Sequence, residues 1–283
     1  MTPRRVAILS HGRPEQAASA LAELRATAQR LGAVLVFDAD EATKHGVVAA
    51  DGVVVTDEPP TDIDLCVVLG GDGTILKALR RYVFTGVPVF AVNFGEVGFL
   101  ATVERDQCTA GFESALRGES EVLALPAIGV EGVDPGTYAI NDVAVHRKVG
   151  ERVAQLAYGL GGETVASVRC DGLVVASPAG STGYNLANGG PVMAWGVEGL
   201  VVSFIAPHSL TARPLVVAPN DVVTVDNRSP SPVEVTVDGR PAGELAPGGS
   251  IAVRFVRDAA RLAQTPGASF YRRLHEKFGR LSI

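Results

Sequence analysis

Short apolar runs alternate with helical periodicity through the first part of the chain. The apolar runs cover residues 6–9, 33–37, 65–69 and 87–92, and each predicts a buried strand. A further short run over 52–55 resembles a strand, but the pattern does not decide whether it joins the sheet. Apolar residues recur every three or four positions over 15–31, 74–82 and 106–117, with Gly32 and Gly118 as helix stops. Strands that alternate with helices predict an α/β domain with a parallel, Rossmann-like sheet.

From about Leu125 the helical periodicity fades and short strand patterns take over. Val233, Val235 and Val237 alternate with polar residues, which is the period of a strand with one buried face. Turn residues recur at 134–136, 161–162, 171–172, 219–221, 238–239 and 247–249. We therefore predict an α/β domain over residues 1–124 and a mostly β domain over 125–258. The tail, 259–283, returns to helical spacing over 270–278 and is predicted to pack back on the first domain.

Composition and charge are those of a soluble globular protein. The chain has 283 residues, 47% of them hydrophobic and 20% charged, and its net charge of −6 argues against a dedicated nucleic-acid binder. No segment approaches the roughly 18 apolar residues of a membrane span. Cys66, Cys108 and Cys170 are isolated and lack metal or disulfide spacing, so we expect a reducing cytoplasm.

A glycine-rich turn joins one predicted strand to the next helix and carries the first candidate chemistry. Glycines let the backbone approach a ligand closely, and amide groups at the start of a helix favour anions. Gly70, Gly71, Gly73 and Thr74 are therefore the candidate loop for a phosphate donor. Asp72 within this loop suits a proton acceptor or a magnesium partner in phosphoryl transfer. The alternative is a structural glycine turn that Asp72 caps.

Further motifs follow along the chain, at residues 93–100, 140–143, 171–185, 207–214 and 238–240. Asn93 is expected at the carboxyl end of a strand, as Asp72 is, where ligands bind in parallel sheets. His208 is predicted to lie in a buried turn held by side-chain hydrogen bonds rather than to act in catalysis. No cluster of His, Cys or carboxylate residues has metal-ligand spacing, so no fixed metal site is predicted.

Taken together and in this order, the motifs resemble the NAD kinase family over about residues 65–240. The most specific match is the segment Asp171-Gly172-Leu173 followed by Pro178, Gly180-Ser181-Thr182 and Tyr184. The resemblance implies transfer of the γ-phosphoryl group of ATP, or of phosphate from polyphosphate, to the 2′-hydroxyl of the adenosine ribose of NAD. The product is NADP, and the family uses a divalent cation such as Mg²⁺. The resemblance also implies a homodimer or homotetramer, with NAD bound between the two domains.

The resemblance implies roles for individual residues. Asp72 corresponds to the catalytic aspartate that accepts the proton of the 2′-hydroxyl. Asn141 and Asp142 correspond to a pair on the ribose and adenine side of NAD, and residues 182–184 line the adenine pocket. Lys77 either directs its charge to the phosphates or is a solvated helix lysine. The residues expected to bind NAD are Asp72, Gly73, Lys77, Asn141, Asp142, Arg169, Asp171, Thr182, Gly183, Tyr184, Asn185, Ala187 and Arg240.

The chain departs from the family pattern at several positions. Asp142 is one carbon shorter than the usual glutamate, so the charge survives with less reach. Gly183 replaces an alanine, while Ala179 and Ala187 replace hydroxyl residues, which changes the wall and the hydrogen bonding of the nucleotide site. Glu96 stands where a basic or polar residue is usual, and we expect it to face away from the phosphates or to bind a cation.

Two alternatives remain open. Diacylglycerol and sphingosine kinases carry a similar Gly-Gly-Asp-Gly-Thr turn and 6-phosphofructokinases a related one, so the chain is alternatively a kinase for another hydroxyl. The second alternative is a non-catalytic dinucleotide sensor on the same fold. The sequence does not choose between ATP and polyphosphate or between NAD and NADH, and it does not indicate whether NADP or NADPH feeds back on activity.

Overall fold

The computed structural model describes residues 4–94, 98–101, 103–134 and 136–279, without the side chain of Asp106. The chain forms two compact units. The first comprises Met1–Ala124 together with Ala260–Ile283, and the second comprises Leu125–Ala259. No helix among the described residues is long and apolar enough to cross a membrane.

The helices and strands follow one another in an order that differs between the two halves of the chain. The helices are α1 (Pro14–Leu31), α2 (Ala39–His45), α3 (Asp72–Arg81), α4 (Cys108–Arg117), α5 (Tyr184–Ala187) and α6 (Phe270–Phe278). The first strands are β1 (Arg5–Ser10), β2 (Val34–Asp38), β3 (Val53–Thr56), β4 (Leu65–Gly70), β5 (Pro88–Asn93), β6 (Glu121–Glu131), β7 (Thr137–Ala139) and β8 (Asp142–Arg147). The others are β9 (Ala154–Leu160), β10 (Glu163–Cys170), β11 (Gly172–Ala176), β12 (Leu200–Ile205), β13 (Leu215–Val217), β14 (Val223–Asn227), β15 (Val233–Val237), β16 (Arg240–Leu245) and β17 (Ser250–Gln264).

The first unit is built on a parallel sheet with the strand order β5-β4-β1-β2-β3. The end of β17 extends this sheet by pairing in parallel with β5. Phe37 and Phe90 are fully buried in the sheet and belong to one apolar core with Leu24 of α1. Gly32 ends α1 in the left-handed conformation, with φ of 68°. Strands buried on both faces explain the uninterrupted apolar runs of the sequence.

The helix α2 is not predicted by the apolar pattern. It is seven residues long and its buried positions are Glu41 and Ala42, so an apolar periodicity is missing. Asp38 caps its first turn by accepting a hydrogen bond from the Glu41 amide (2.9 Å). Ser10 Oγ donates to the buried Glu41 carboxylate (2.7 Å). Polar contacts therefore tie this helix to the sheet, and β3, whose place was open, pairs in parallel with β2.

The second unit packs antiparallel sheets around its own core. One sheet has the order β10-β9-β14-β17 and the other the order β13-β12-β11-β8-β15-β16. Both contribute to one apolar cluster, which includes Leu156 and Val225 from the first sheet and Leu173 and Val235 from the second. The predicted fold class is therefore confirmed, and the helical tail covers the predicted residues 270–278 as α6.

Strand register in the second unit brings two of the sequence motifs together. β8 begins at Asp142, β11 ends at Ala176, and these two residues are direct partners in the antiparallel pair. The motif over 140–143 therefore lies beside the loop that starts at Ser177. The sheet thus positions the candidate residues of this unit.

Candidate active site

Asp72 is the first residue of α3, directly after the tight turn that follows β4. β4 ends at Gly70, Gly71 precedes the helix, and the Thr74 amide donates to the Gly71 carbonyl oxygen (2.9 Å). Gly70 has no room for a side chain, because a Cβ there would lie 2.6 Å from Thr74 Oγ1. Apart from its chain neighbours and the backbone of its own helix, a Cβ at Gly73 would meet no described atom within 4 Å. Packing within the fold therefore explains the glycine at position 70 but not the one at position 73.

Two backbone amides hold the carboxylate of Asp72. The Phe99 N–H donates to Oδ2 (2.8 Å) and the Leu100 N–H donates to Oδ1 (3.2 Å). Burial raises the pKa of Asp72, while these hydrogen bonds and the charges of Lys277 and Arg273 act in the opposite direction. A carboxylate with a raised pKa is a better proton acceptor than a fully solvated one.

Asn93 ends β5, the strand next to β4, and is the register partner of Gly70. Its Nδ2 donates to both carboxylate oxygens of Glu104, each at 3.2 Å. Asp72 and Asn93 therefore follow neighbouring strands at the carboxyl edge of the parallel sheet, as the sequence pattern predicts. Glu96 lies outside the described residues.

In the second unit, the carboxylate of Asp238 binds the turn that precedes β8. It accepts hydrogen bonds from the amides of Ile140 (3.0 Å), Asn141 (2.7 Å) and Asp142 (3.2 Å). Asp238 and Gly239 have φ of 48° and 72°, as in a tight hairpin turn between β15 and β16. Burial and the Asp238 carboxylate raise the pKa of Asp142 to about 7. The Asp-Gly pair predicts the turn, but no sequence signal predicts this contact.

The loop after β11 packs directly on the Asn141 turn. The Ser177 N–H donates to the Asn141 carbonyl oxygen (2.9 Å), and Ser177 Oγ donates to the Ile140 carbonyl oxygen (2.6 Å). A Cβ at Gly180 would lie 2.0 Å from the Asn141 carbonyl oxygen, so the contact requires glycine. Asn141 Oδ1 is buried and has no hydrogen-bond partner among the described residues. Because an unpaired buried acceptor costs about 1–3 kcal/mol, this oxygen is well suited to accept a hydrogen bond from a ligand.

Tyr184 presents an aromatic ring at the start of α5. The side chain is 37% exposed, and the ring stacks on His146 with a centroid separation of 5.6 Å and an interplanar angle of 21°. Burial and the charges of Asp142 and Asp171 raise the pKa of Tyr184. Asp142, Asp171 and Tyr184, all predicted to bind NAD, therefore lie near one another. His146 packs against the Tyr184 ring, a contact that the sequence does not predict.

Asn185 is used inside its own loop. It is fully buried, and its Nδ2 donates to the carbonyl oxygens of Ser181 and Pro191, each at 3.0 Å. A Cβ at Gly190 would lie on its Oδ1, so the turn closes tightly around it. The side chain of Asn185 therefore shapes the loop from within.

Asp171 forms an ion pair with Arg147. Arg147 Nε donates to Asp171 Oδ1 at 2.6 Å, and the two side chains are about one-third exposed. Arg169, which is expected to point the same way as Asp171, is exposed near the end of β10. Arg147 is thus the described salt-bridge partner of Asp171, a pairing that sequence spacing does not predict.

The prediction that His208 is buried is wrong. His208 is exposed, and its backbone N–H donates to the Arg169 carbonyl oxygen (2.7 Å). Ser209 Oγ accepts hydrogen bonds from the amides of Thr211 (3.3 Å) and Ala212 (3.2 Å). The turn is held by a side chain as predicted, but by the serine, which leaves the imidazole in solvent.

The remaining predicted residues lie at or near the surface of their units. Lys77 on α3, Gly183 and Ala187 beside and in α5, and Arg240 at the start of β16 are exposed, and Thr182 Oγ1 donates to the Ala179 carbonyl oxygen (3.2 Å). The predicted residues thus fall into two sets. The turn at 70–74 and Lys77 belong to the first unit, and the others, from residue 141 onward, belong to the second.

An α/β unit that carries a carboxylate in a glycine turn, joined to a mostly β unit, is the organisation of a family of kinases. Residues 26–120 match the ATP-NAD kinase N-terminal domain, and residues 140–265 match the ATP-NAD kinase C-terminal domain. An NAD kinase of Gemmatimonas aurantiaca is 34% identical, with 82% of each chain covered. An NAD kinase of Heliobacterium modesticaldum is 38% identical, with 76% of this chain and 78% of that protein covered. The chain therefore belongs to the NAD kinase family, and the resemblance found in the sequence is confirmed.

Solved structures show the same fold. A yeast NADH kinase in complex with NADH superposes with a TM-score of 0.84 at 23% identity, covering 99% of this chain and 89% of that chain. An NAD kinase from Archaeoglobus fulgidus in complex with ATP gives a TM-score of 0.72 at 24% identity, covering 98% of each. Because both identities are below 25%, these two structures establish a shared fold.

Proposed function

We propose that this chain transfers the γ-phosphoryl group of ATP to the 2′-hydroxyl of the adenosine ribose of NAD, with Asp72 as the general base. The observation that carries the proposal is the carboxylate of Asp72, held by two amides beside a glycine turn at the carboxyl edge of the parallel sheet. A ribose hydroxyl is a poor nucleophile, so a base within hydrogen-bond reach accelerates its attack. Membership of the NAD kinase family supports the same reaction.

In the proposed step the proton of the 2′-hydroxyl passes to an Asp72 carboxylate oxygen. The ribose oxygen forms a bond to the γ-phosphorus while the bond from that phosphorus to the β,γ-bridging oxygen breaks, which releases ADP. Gly70, Gly71, Gly73 and Thr74 contact the donor phosphates, and the exposed Lys77 adds a positive charge one turn further along the helix. Positioning and charge neutralisation supply most of the rate enhancement in reactions of this class.

The second unit recognises NAD in this proposal. Asn141 Oδ1 accepts a hydrogen bond from the nucleotide, which satisfies an oxygen that has no partner among the described residues. The ring of Tyr184 packs beside the adenine, and Asp142 and Asp171 bind ribose or amide donors. The other proposed contacts come from Arg169, Thr182, Gly183, Ala187 and Arg240, while Asn185 shapes the loop.

A divalent cation accompanies the donor phosphates in this proposal. Among the described residues, no three His, Cys, Asp or Glu side chains form a ligand group for a metal. The chain does not supply a metal cage from these residues, so Mg²⁺ would arrive with ATP, as is usual for that ion. Polyphosphate is the alternative phosphate donor.

The proposed setting is a homodimer or homotetramer in a reducing cytoplasm. The cysteines Cys66, Cys108 and Cys170 support the compartment, because all are free and buried and none pairs in a disulfide. Family membership supports the oligomer. Light scattering of the purified chain over a concentration series measures its mass directly.

The experiment that tests the function is an assay of the purified chain with NAD, ATP and magnesium, in which a coupled NADP-specific dehydrogenase measures the product. We expect NADP from the wild type and a loss of at least a hundredfold in kcat for Asp72→Asn, because general-base catalysis contributes about 10²–10⁴. Asp40→Asn, which changes an exposed carboxylate of the same unit, is the matched control and should retain activity.

NAD binding without turnover in the wild type, with polyphosphate and NADH also tried as substrates, would contradict a kinase and favour the dinucleotide sensor. Turnover of another hydroxyl substrate without NADP formation would favour a different kinase on the same fold. Full activity of Asp72→Asn would remove Asp72 from the role of base.

A further inference from the structure

The C-terminal helix α6 contacts the segment that holds Asp72. Arg273 Nη1 donates to the Ala101 carbonyl oxygen (3.4 Å), next to the two amides that bind the Asp72 carboxylate. The Phe278 ring contacts Phe99, with ring centroids 5.9 Å apart. α6 therefore packs on the 99–101 segment through two side chains that lie more than one turn apart.

The partly buried side of α6 carries two cations together with apolar side chains. Arg273 is only 8% exposed, although a buried guanidinium is unfavourable unless nearby groups compensate its charge. Lys277 follows one turn later on the same side of the helix. Asp72 and Glu276 are two of the acidic residues whose charges act on Arg273.

The segment that begins at Gly98 packs closely on the Asp72 carboxylate. Gly98 approaches so closely that a Cβ there would lie 2.9 Å from Asp72 Oδ1. The nearby carboxylate of Glu104 is bound to Asn93 Nδ2. Among the described residues, the groups that favour the charged form of Asp72 include the amides of residues 99 and 100 and the cations Lys277 and Arg273 of α6.

We propose that Arg273 is a positioning residue for Asp72, which holds the 99–101 segment in place and supplies a permanent positive charge to the carboxylate. The proposal rests on the function proposed above only for its meaning in catalysis. Burial lowers the pKa of Arg273 to about 10, so the side chain stays charged at neutral pH. By this arrangement the C-terminal segment, distant in sequence, keeps the half-buried base ionised under working conditions.

The test compares the pH profile of kcat/KM for the wild type, Arg273→Met and Arg273→Lys. Loss of the cation raises the pKa of Asp72, and the base is active only when ionised, so the acid limb moves to higher pH. We expect an upward shift of the limb for Arg273→Met, with most of it reversed in Arg273→Lys. Arg272→Met removes the same charge from an exposed neighbouring position of α6 and should leave the limb in place.

A second readout makes the proposal independent of turnover. The Asp72 carboxyl signal in ¹³C NMR, assigned by its absence in Asp72→Asn, should titrate at higher pH in Arg273→Met than in Arg272→Met. If the wild type forms no NADP, the proposed function fails and this titration alone decides the role of Arg273. An unchanged titration in a folded Arg273→Met, even with a lower melting temperature, would reduce Arg273 to a packing residue and overturn the proposal.

Lys277→Met keeps the test open if Arg273→Met does not fold. Lys277 is less buried than Arg273, but its charge lowers the pKa of Asp72 more strongly than the charge of Arg273 does, so its removal should shift the same titration in the same direction by at least as much. No shift in this variant would overturn the electrostatic role of α6.

Discussion

At the scale of single residues, Gly70 and Gly73 are explained by different requirements. Gly70 is required by the fold, because a side chain there would collide with Thr74. Gly73 lies in the first turn of α3, is exposed, and would meet no described atom within 4 Å if it carried a Cβ, apart from its chain neighbours and the backbone of its own helix. Glycine within a helix costs about 0.5–1 kcal/mol relative to alanine, so its presence here is unfavourable for the fold alone. Close approach of donor phosphates gives it a physical reason.

Gly73→Ala should therefore separate stability from activity. We expect the free energy of unfolding, measured by urea denaturation, to stay the same or rise by up to about 1 kcal/mol. We expect kcat/KM for ATP to fall at least tenfold, because a methyl group would stand where the phosphates approach. Gly70→Ala is the contrasting variant and should lose stability. Full activity of a stable Gly73→Ala would show that the phosphates do not use this position.

At the scale of elements, one carboxylate ties the β15–β16 hairpin to the start of β8. Asp238 accepts hydrogen bonds from three successive amides of the 140–142 turn, and its own amide donates to the Asp142 carbonyl oxygen (2.8 Å). The contact leaves the buried Asp142 side chain close to a second negative charge. The same closure that fixes Asn141 and Asp142 as candidate NAD ligands thus makes ionisation of Asp142 unfavourable.

The pKa of Asp142, raised from 3.8 to about 7, predicts a pH-dependent gain in stability for Asp142→Asn. The folded wild type binds this proton more tightly than the unfolded chain does. The contribution of protonated Asp142 to the free energy of unfolding is therefore complete below about pH 4 and is lost as the pH rises through 7. The variant should match the wild type near pH 5 more closely than at pH 8, where it should be more stable by about 1–3 kcal/mol. Urea denaturation at both pH values measures the difference. The exposed Asp221→Asn should show no such trend, and a pH-independent difference for Asp142→Asn would contradict the raised pKa.

At the scale of the whole molecule, periodic sequence patterns predict the strands and helices that have them, but individual polar contacts are not predicted. The apolar runs locate β1, β2, β4 and β5, and the spacing over 270–278 locates α6. The apolar pattern does not predict α2, because its buried positions include a glutamate and do not form an apolar stripe. Candidate site residues such as Asp72 and Asn141 could be selected from the sequence because they lie in recognisable motifs.

Contacts between segments that are distant in sequence are not indicated by any motif or periodic pattern. Asp238 with the 140–142 turn, Arg147 with Asp171 and Arg273 with Ala101 each join residues through the fold, at separations that no local pattern reports. His208 shows the opposite error, because a turn motif predicts the chain reversal but not which side chain faces solvent. Pairings of this kind depend on tertiary packing, and only the folded chain reveals them.

The continuous second unit and the discontinuous first unit should behave differently when they are cut from the chain. Residues 128–253 supply an entire apolar core, so we expect a fragment of residues 125–259 to fold alone. The fragment 1–124 lacks the end of β17, which pairs with β5, and lacks α6, so it should be markedly less stable. Circular dichroism during heating measures both, and we expect a cooperative transition from the first fragment and a broad or absent one from the second. Adding residues 260–283 to the first-unit fragment through a short flexible linker should restore its transition. A cooperative transition from the 1–124 fragment would contradict a structural role for the C-terminal segment. Restoration of the transition by the linked segment would show that this segment stabilises the first unit, which contains Asp72.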